Sequence, residues 1–259
     1  MEKVCILMST YNGEKYLSEQ IDSIFRQEKV DFKLIIRDDG SCDRTVDIIE
    51  HYQDIYGKDK IEYYSGDNIG FIKSFLTLIK MCGKFEYYAL CDQDDVWDSD
   101  KLFCAIEKIK KVGRNVPILY YSNLNIVDDN LKFCRISHSK VHYQNNKFSA
   151  LTEDMATGCT MVFNSRLMDV LRKGDPYGVS CHDSWIHLVA KFFGVTIYDF
   201  KPHISYRQHS QNSIGAYKKI TPKVVIEQFA RKVKRFSFAR SNNAKELLNC
   251  YGDMLSQDD

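Results

Sequence analysis

The sequence carries no excess of either charge and no long apolar run. Its 36 Lys and Arg residues nearly balance 35 Asp and Glu residues, for a formal net charge of +1. This balance excludes a nucleic-acid partner that depends on the charge of the whole molecule. No apolar stretch approaches the roughly 20 residues that a membrane-spanning helix needs, and no signal peptide is visible after Lys3. The sequence predicts a cytoplasmic protein, either soluble or peripheral on the inner face of the cell membrane.

The nine cysteines include no Cys-x-x-Cys pair, so the sequence indicates neither a zinc knuckle nor a thioredoxin-like redox motif. Their number is odd and their spacing is scattered. Several lie in apolar runs, such as Cys5 within Val4–Met8, where Cys behaves as a small hydrophobic residue. Free cysteines are typical of a reducing compartment. Repeats and low-complexity tracts are absent, and a hydrophobic content of 44% over 259 residues is sufficient for a sizeable core.

Short apolar runs alternate with segments of helical periodicity through the first half of the chain. This alternation favours an α/β fold with a mostly parallel sheet and helices on both faces. The predicted strands are Val4–Met8, Lys33–Ile36, Ile61–Tyr64 and Tyr87–Cys91, and the predicted helices are Glu14–Arg26, Arg44–Tyr56, Phe71–Met81 and Lys101–Val112. In the second half, the pattern predicts the strands Ile118–Tyr121, Met161–Phe163 and Val195–Tyr198 and the helix Asp183–Phe193. The polar stretch Asp128–Leu151 either covers a substrate site or is a plain loop.

Polar and acidic residues follow each of the first four predicted strands. Ligands of open parallel sheets bind outside the carboxyl ends of the strands, so these loops are the candidate site. The loop segments are Ser9–Gly13, Arg37–Ser41, Gly66–Gly70 and Asp92–Trp97. Asp92, Asp94 and Asp95 give the sharpest signal, because alternate carboxylates on an extended turn suit Mg²⁺ or Mn²⁺. The alternative is an acidic turn that caps the following helix, although Asp98, Ser99 and Asp100 already supply caps.

Together these segments resemble the family 2 inverting glycosyltransferases of the GT-A fold. The matching segments are Ser9–Asn12, Asp38–Thr45, Asn68–Gly70 and Asp92–Trp97, and the resemblance covers roughly residues 3 to 215. The segment after the second strand and the Asp-x-Asp motif together are a specific signal for this family, whereas each of them alone is a weak signal. Cys91–Trp97 together with His182–Trp185 resembles the rhamnosyltransferase-like branch. The resemblance implies a nucleotide-binding half over residues 1–115, an acceptor-binding half over 116–216, and transfer of a sugar from a nucleotide-sugar donor to an acceptor hydroxyl.

The resemblance also implies which residues hold the donor. Tyr11 would lie against a pyrimidine base with Thr10 in the same pocket, and Asp39, joined by Asp38, would accept the imide N–H. Asn68 and Gly70 would shape the nucleoside pocket. Asp94 would bind the divalent metal, with Asp92 as a second ligand or a ribose contact. Tyr11 has the alternative interpretation of a half-buried tyrosine at a strand end.

On the acceptor side, the resemblance implies Asp183 as the general base that inverting transfer requires. Asp183 opens a predicted helix, so it is also interpretable as a helix cap, and the two roles are compatible. His182 is a second candidate base or a packing residue. Trp185 would lie on the acceptor side, as would Gly158 within Thr157–Thr160, which is otherwise a plain strand entry.

Two late residues complete the expected site. Some relatives supply a late His as a further metal ligand, a role that His209 could take, although a lone His is a weak signal. Arg207 would alternatively face the diphosphate, because its planar fork suits phosphate oxygens.

A basic segment follows. Nine Lys or Arg residues stand against one acid, Glu227, between residues 218 and 245. Apolar residues recur there at helical spacing, so we expect a basic amphipathic helix within a tail over 217–259. It would contact an anionic membrane surface, unless its apolar stripe packs on the core.

The expected function is inverting transfer of a sugar, with rhamnose from dTDP-rhamnose as the first choice, to a glycan or lipid-linked acceptor in bacterial cell-surface polysaccharide synthesis. A UDP-hexose donor stays open, because the same base contacts accept either pyrimidine. Competing hypotheses are a non-catalytic nucleotide- or sugar-binding module, a receiver-like or flavodoxin-like domain, and a nucleotidyltransferase. The receiver-like hypothesis leaves the Asp-x-Asp unexplained. A nucleotidyltransferase would show a Gly-rich basic loop near the first strand, and Ser9–Glu14 lacks one.

Overall fold

The computed structural model describes residues 2–113, 115–137, 146–151, 156–209 and 241–256. Its strands are β1 (Lys3–Thr10), β2 (Asp31–Asp38), β3 (Ile61–Ser65), β4 (Tyr87–Cys91), β5 (Val96–Trp97), β6 (Ile118–Ser122), β7 (Asn125–Val127), β8 (Phe133–Ile136), β9 (Val162–Asn164), β10 (Val195–Asp199) and β11 (Ile204–Arg207). Its helices are α1 (Leu17–Phe25), α2 (Thr45–Tyr56), α3 (Phe71–Met81), α4 (Lys101–Val112), α5 (Ser165–Lys173), α6 (His182–Phe193) and α7 (241–251). The predicted basic helix lies mostly at 210–240, outside the described residues, and stays a prediction.

Seven strands form one central sheet in the order β10-β6-β9-β4-β1-β2-β3. All neighbouring pairs are parallel except those of β9, which runs antiparallel to both β4 and β6. The mostly parallel sheet that the alternation predicted is therefore confirmed. Strands from both predicted halves of the chain belong to this one sheet.

Helices cover both faces of the sheet and bury two apolar clusters. Alternate strand residues point to opposite faces. Val4, Ile6 and Met8 of β1 accordingly pack in the cluster beneath α1, α2 and α4, while Cys5 and Leu7 pack in the cluster beneath α3, α5 and α6. The buried residues of these helices recur every three or four positions, which is the periodicity from which the helices were predicted.

The register of the strands brings their carboxyl ends together. Thr10 pairs with Asp38 and Asp38 with Ser65, while Met8 pairs with Cys91. The four loops that were identified as candidate site segments therefore leave the sheet at one edge.

The sequence analysis missed a second, four-stranded sheet in the order β5-β11-β7-β8. Its strands are two to four residues long, too short for an alternating pattern to stand out. Helix α5 was also missed. Its residues Leu167, Met168, Val170 and Leu171 are buried, and the Asn164 side chain caps it by accepting the Leu167 N–H at 3.1 Å. Among the described residues, no helix combines the length and apolarity that crossing a bilayer requires.

Candidate active site

The loops that follow β1 and β2 are hydrogen-bonded to each other. Asn12 has a φ of 47°, a conformation that Asn tolerates better than most residues. Its side-chain oxygen accepts the Cys42 N–H at 2.8 Å, and its own N–H is donated to Ser41 Oγ at 2.9 Å. The Gly13 N–H is donated to Thr45 Oγ1 at 2.7 Å. The first two site loops therefore form one bonded unit.

Thr10 and Asp38 lie beneath these loops and are closed to solvent, with exposed fractions of 1% and 0%. The Asp38 carboxylate accepts the Thr10 hydroxyl at 3.0 Å and the Ser41 N–H at 3.0 Å. The sequence analysis expected both residues among the donor contacts. The structure corrects this expectation, because their polar groups bond to each other and to the loop. Both residues shape the site from below.

Asp39 points the other way, towards the loop that precedes α3. Its carboxylate pairs with the Arg37 guanidinium and accepts the N–H of Ile69 at 2.9 Å and of Gly70 at 2.8 Å. Gly70 has a φ of 82°, which only glycine adopts at low cost. A carboxylate has about four lone-pair positions; these contacts take three of them, and Asp39 is only 2% exposed. Asn68 is exposed beside this carboxylate loop.

Tyr11 stands on the outer side of the same edge with 47% of its surface exposed. The side-chain amide of Gln93 holds its backbone from both directions: Gln93 Oε1 accepts the Tyr11 N–H at 2.9 Å, and Nε2 donates to the Tyr11 carbonyl at 3.0 Å. A Cβ on Gly13 would lie 2.4 Å from Gln93 Oε1, so glycine is required for this approach. The exposed ring of Tyr11 is free to meet a planar ligand.

The acidic loop after β4 brings Asp94 to His209. Asp94 Oδ2 lies 2.9 Å from His209 Nε2, although 115 residues separate the two positions in the chain. The His209 ring packs at a tilt on Tyr16, with 4.7 Å between ring centroids. Both side chains are largely buried. The fold therefore brings together His209 and the Asp-x-Asp motif, as the sequence analysis predicted. One nitrogen of His209 and one oxygen of Asp94 lie close enough to contact the same ion.

Asp92 and Asp183 lie close to this pair. Burial, together with the nearby carboxylates of Asp94 and Asp183, raises the pKa of Asp92 to about 7. Carboxylates that are gathered in a partly buried space repel each other, and a bound cation relieves that repulsion. The oxygen and imidazole donors of Asp92, Asp94 and His209 are ligands of the kind that Mg²⁺ and Mn²⁺ accept. Asp94 and His209 therefore fit as two ligands of a divalent metal, while the group of three metal-capable residues that Asp92 joins within 4.8 Å is Asp92, Asp95 and Cys159.

Asp95 and Lys101 lie beneath the acidic loop, and the sequence analysis assigned Lys101 no role. Burial lowers the pKa of Lys101 to about 8, against the opposing effect of nearby acidic groups that include Asp95 and Asp92. Its Nζ lies 3.5 Å from the centroid of the Trp97 ring and has no hydrogen-bond partner among the described residues. A buried cation thus lies under a buried acidic loop. A Lys at the first position of a helix resembles an ordinary surface residue, so the sequence held no signal for this contact.

Arg207 is 2% exposed, and its guanidinium contacts three different segments. Nε donates to the Asp94 carbonyl at 2.9 Å, Nη1 donates to the Asp129 carbonyl at 2.6 Å, and Nη2 pairs with the Glu19 carboxylate. The backbone N–H of Arg207 is donated to Asp95 Oδ1 at 3.0 Å. The expectation that this fork faces a diphosphate is corrected, because the fork is directed at protein acceptors. Arg207 holds the acidic loop in place.

Asp183 is the second residue of α6, and its interpretation as the N-cap is wrong, because Cys181 occupies that position. Its Oδ1 accepts the Ser184 N–H at 2.7 Å, while Oδ2 lies 3.4 Å from the Gly158 nitrogen. The side chain is half-buried, and Oδ2 retains capacity for a further donor. Asp183 contributes to the raised pKa of Asp92, so these two carboxylates lie near each other.

His182 and Trp185 are buried, with exposed fractions of 4% and 1%. The His182 ring stacks on Phe75 with 4.1 Å between centroids, and Trp185 stacks on Tyr251 of α7 with 5.9 Å between centroids. The expectation that they face an acceptor is corrected, because both rings belong to the packing around α6. Gly158 lies beside Asp183, and its place on the acceptor side stays a prediction. A Cβ there would lie 2.8 Å from His182 Nε2.

Comparisons with known proteins identify the family and the fold. The glycosyl transferase family 2 model matches residues 5–171. A dTDP-rhamnosyl transferase of Shigella flexneri, RfbG, is 29% identical, with 97% of this chain and 85% of that protein covered. The Escherichia coli enzyme WfgD, described as a UDP-Glc:α-D-GlcNAc-diphosphoundecaprenol β-1,3-glucosyltransferase, is 27% identical, with 64% of this chain and 61% of that protein covered.

Solved structures support the fold. Staphylococcus aureus TarS in complex with UDP-GlcNAc has a TM-score of 0.62 at 18% identity, with 97% of this chain and 80% of that chain covered. The mannosyltransferase PcManGT from Pyrobaculum calidifontis, in complex with GDP-Man and Mn²⁺, has a TM-score of 0.57 at 15% identity, with 98% and 76% covered. Identities this low carry only the GT-A architecture. The family model spans well over half of the chain and includes the loops after β1, β2, β3 and β4, and on this basis the protein belongs to glycosyl transferase family 2.

Proposed function

We propose that this glycosyltransferase is a metal-dependent, inverting enzyme that transfers a sugar from a pyrimidine nucleotide-sugar to an acceptor hydroxyl. The observation that carries the proposal is the 2.9 Å approach of Asp94 to His209 at the edge where Asp92 and Asp183 also lie. A purely structural acidic turn has no reason to recruit a histidine and a second carboxylate from distant parts of the chain.

Asp94, Asp92 and His209 would hold the divalent metal. When bound, such an ion neutralises the diphosphate and stabilises the negative charge that develops on the leaving group. The chain orders these ligands itself, because Arg207 fixes the Asp94 backbone and Tyr16 supports the His209 ring. The metal would be either Mg²⁺ or Mn²⁺.

Tyr11 and Asp39 would bind the nucleoside. The exposed Tyr11 ring would stack on the base. The remaining lone pair of Asp39 would accept the imide N–H that uracil and thymine share. Asn68 and Gly70 would line the same pocket. Thr10 and Asp38 would act indirectly, through the loop that they stabilise from below.

Asp183 would be the general base. Its Oδ1 is held by the Ser184 N–H at the amino end of α6, which orients the carboxylate. Oδ2 would take the proton from the acceptor hydroxyl, whose oxygen then attacks the anomeric carbon opposite the departing diphosphate. Configuration is inverted, and the enzyme forms no covalent intermediate.

We further propose dTDP-rhamnose as the donor, with a UDP-hexose as the second candidate. The similarity to the dTDP-rhamnosyl transferase over nearly the whole chain supports rhamnose. The UDP-sugar named for WfgD supports the alternative. A lipid-linked or glycan acceptor in bacterial surface polysaccharide synthesis would fit either donor, and the basic segment after residue 217 would bring the enzyme to an anionic membrane.

Calorimetric titration with dTDP and with UDP, each with and without Mn²⁺, tests the donor site. We expect tight binding only with Mn²⁺, and loss of at least tenfold in affinity for Asp94→Asn. The surface variant Asp47→Asn, which lies on α2 and is exposed, is the matched control and should bind normally. The tighter nucleotide identifies the donor class. Absence of binding to both nucleotides under every metal condition would favour the non-catalytic module.

Asp183→Asn separates chemistry from binding in the same protein. General-base removal typically costs about 10²- to 10⁴-fold in rate, so kcat should fall by that factor in a donor-hydrolysis or transfer assay. Nucleotide affinity with Mn²⁺ should stay within about twofold of the unmodified enzyme, since Asp183 does not hold the nucleotide in this mechanism. An unchanged kcat would assign the residue a purely structural role at the start of α6.

A further inference from the structure

The two-stranded ladder of β5 and β11 has an Asp–His contact at each of its ends. The strands are antiparallel, with Val96 opposite Ser205 and Trp97 opposite Ile204. Beyond one end lie Asp94 and His209 of the candidate active site. Beyond the other end lies a second group of three residues, Asp100, Cys104 and His203, which the proposed function does not use.

The donor atoms of this second group are close together. His203 Nδ1 lies 2.9 Å from Asp100 Oδ1, and Cys104 Sγ lies 3.4 Å from Asp100 Oδ2. One ligand atom from each of the three residues lies within 4.8 Å of the other two. Asp100 directly precedes α4 and Cys104 follows one turn later, so both side chains lie on the same side of the helix.

The other nitrogen of His203 faces a carboxylate that the protein holds in place. His203 Nε2 lies 3.6 Å from Asp199 Oδ2. Asp199 is buried and in turn accepts the Tyr120 hydroxyl at 2.8 Å and pairs with Lys108 Nζ at 2.6 Å. Histidine ligands of metals commonly direct their second nitrogen at such a carboxylate, which fixes the tautomer and the orientation of the ring. His203 is therefore arranged as a metal ligand is, with Nδ1 turned to Cys104 and Asp100.

We propose that Asp100, Cys104 and His203 form a zinc-class metal site that is separate from the donor site. One carboxylate oxygen, one imidazole nitrogen and one thiolate make a ligand set that suits Zn²⁺ and disfavours Mg²⁺. Tetrahedral zinc at about 2.0–2.3 Å from its ligands places those ligands roughly 3.3–3.6 Å apart. The present separations need only small side-chain adjustments to reach that geometry.

Binding requires the release of a proton and the displacement of one side chain. The Cys104 thiol gives up its proton to solvent, and any proton on His203 Nδ1 follows, so that both atoms present lone pairs. Lys201 Nζ lies 3.3 Å from Asp100 Oδ2 and is 65% exposed, so it can move into solvent. Asp100 is 42% exposed, which allows water to occupy the fourth position. The bound ion then fastens the start of α4 to the segment that enters β11.

This proposal does not rest on the proposed function, and Co²⁺ is the probe that tests it. The full chain, kept reduced with a non-thiol reductant, is titrated with Co²⁺. We expect a thiolate-to-cobalt charge-transfer absorption that saturates at one ion per chain and disappears on addition of Zn²⁺. Cys104→Ser should abolish the band. Cys42→Ser, which alters another partly solvent-accessible cysteine, should retain it, and Asp94→Asn should retain it as well.

Thermal unfolding supplies a second measurement. The donor site is removed first by Asp94→Asn. In that background Zn²⁺ should raise the Tm of the single variant and of its Cys42→Ser derivative by several degrees and leave that of its Cys104→Ser derivative unchanged, because a ligand stabilises only the folded form that binds it. The conservative variant His203→Gln should behave as Cys104→Ser does. A Co²⁺ band that survives Cys104→Ser, or the absence of any band in the unmodified protein, would overturn the proposal whether or not Asp94 proves essential for nucleotide binding.

Discussion

At the scale of single residues, the candidate site depends on buried polar groups whose partners come from distant parts of the sequence. Lys101 is the clearest example. It is 1% exposed, beneath the acidic loop and over the Trp97 ring. A buried cation is costly unless opposite charges or polar groups compensate it. Here the nearby carboxylates of Asp95 and Asp92 supply that compensation.

Replacing Lys101 tests whether the nearby carboxyl groups compensate the cost of burying its charge. Lys101→Met keeps the length of the side chain and removes its charge, and we expect a loss of about 1–3 kcal/mol in the free energy of unfolding, because the buried carboxyl groups of Asp95 and Asp92 are left without a nearby opposite charge. Asp95→Asn should be destabilising for the same reason. The double variant should lose less than the sum of the two single losses, as measured by urea unfolding. Strict additivity would mean that Lys101 and Asp95 do not interact.

At the scale of secondary-structure elements, the short strands β5 and β11 carry the site although they contribute little to the core. Arg207 at the end of β11 joins this ladder to α1 through Glu19 and to the segment after β7 through the Asp129 carbonyl. The acidic loop is therefore positioned by three elements that are remote from one another in the sequence.

Arg207→Lys is the variant that tests this positioning role. Lys retains the charge but lacks the planar fork, so two of the three side-chain contacts are lost. We expect the affinity for the nucleotide with Mn²⁺ to fall at least tenfold, with about 2–4 kcal/mol of lost stability from the unpaired buried acceptors. The matched control Arg166→Lys alters an exposed arginine of α5. Equal behaviour of the two variants in calorimetry and urea unfolding would remove Arg207 from the site.

At the scale of the whole molecule, buried histidines couple stability to pH. Burial, reinforced by nearby Lys191 and opposed by Asp183, lowers the pKa of His187 to about 4. The ring packs against Tyr121 of β6 with 5.2 Å between centroids. An unfolded His has a pKa of about 6.5, so between these values the unfolded chain binds the additional proton. The contribution of neutral His187 to stability is therefore complete above pH 6.5 and is lost as the pH falls towards 4.

The expected size of this effect is at most about 3 kcal/mol, from about 1.4 kcal/mol for each unit of pKa difference. Urea unfolding at several pH values between 4 and 7 should show the free energy of unfolding of the unmodified protein rising with pH relative to that of His187→Gln, because Asp92, whose raised pKa acts in the opposite direction, is present in both proteins. The exposed residue His51 provides the control, and His51→Gln should keep the slope of the unmodified protein. An equal slope in His187→Gln and the unmodified protein would assign the dependence to other groups.

The sequence by itself determined the order of strands and helices in the first half and the edge at which the site lies. These features depend on local periodicity and on the rule that parallel strands end at one edge, so β4 and α4 were predicted with their observed bounds, Tyr87–Cys91 and Lys101–Val112. It also located Asp92 and Asp94 after β4 and Asp183 at the start of α6, because each follows a recognisable strand or opens a recognisable helix; their roles in the site stay predictions.

Only the tertiary structure decided which polar residues face the cleft and which face the protein. Asp38 and Asp39 are adjacent in the sequence, yet one is buried beneath the loop and the other accepts the N–H groups that precede α3. Three other predicted site residues also point into the protein: Arg207, His182 and Trp185. Their orientation depends on partners such as Glu19, Phe75 and Tyr251, which long-range packing brings close and which no local pattern of residues records.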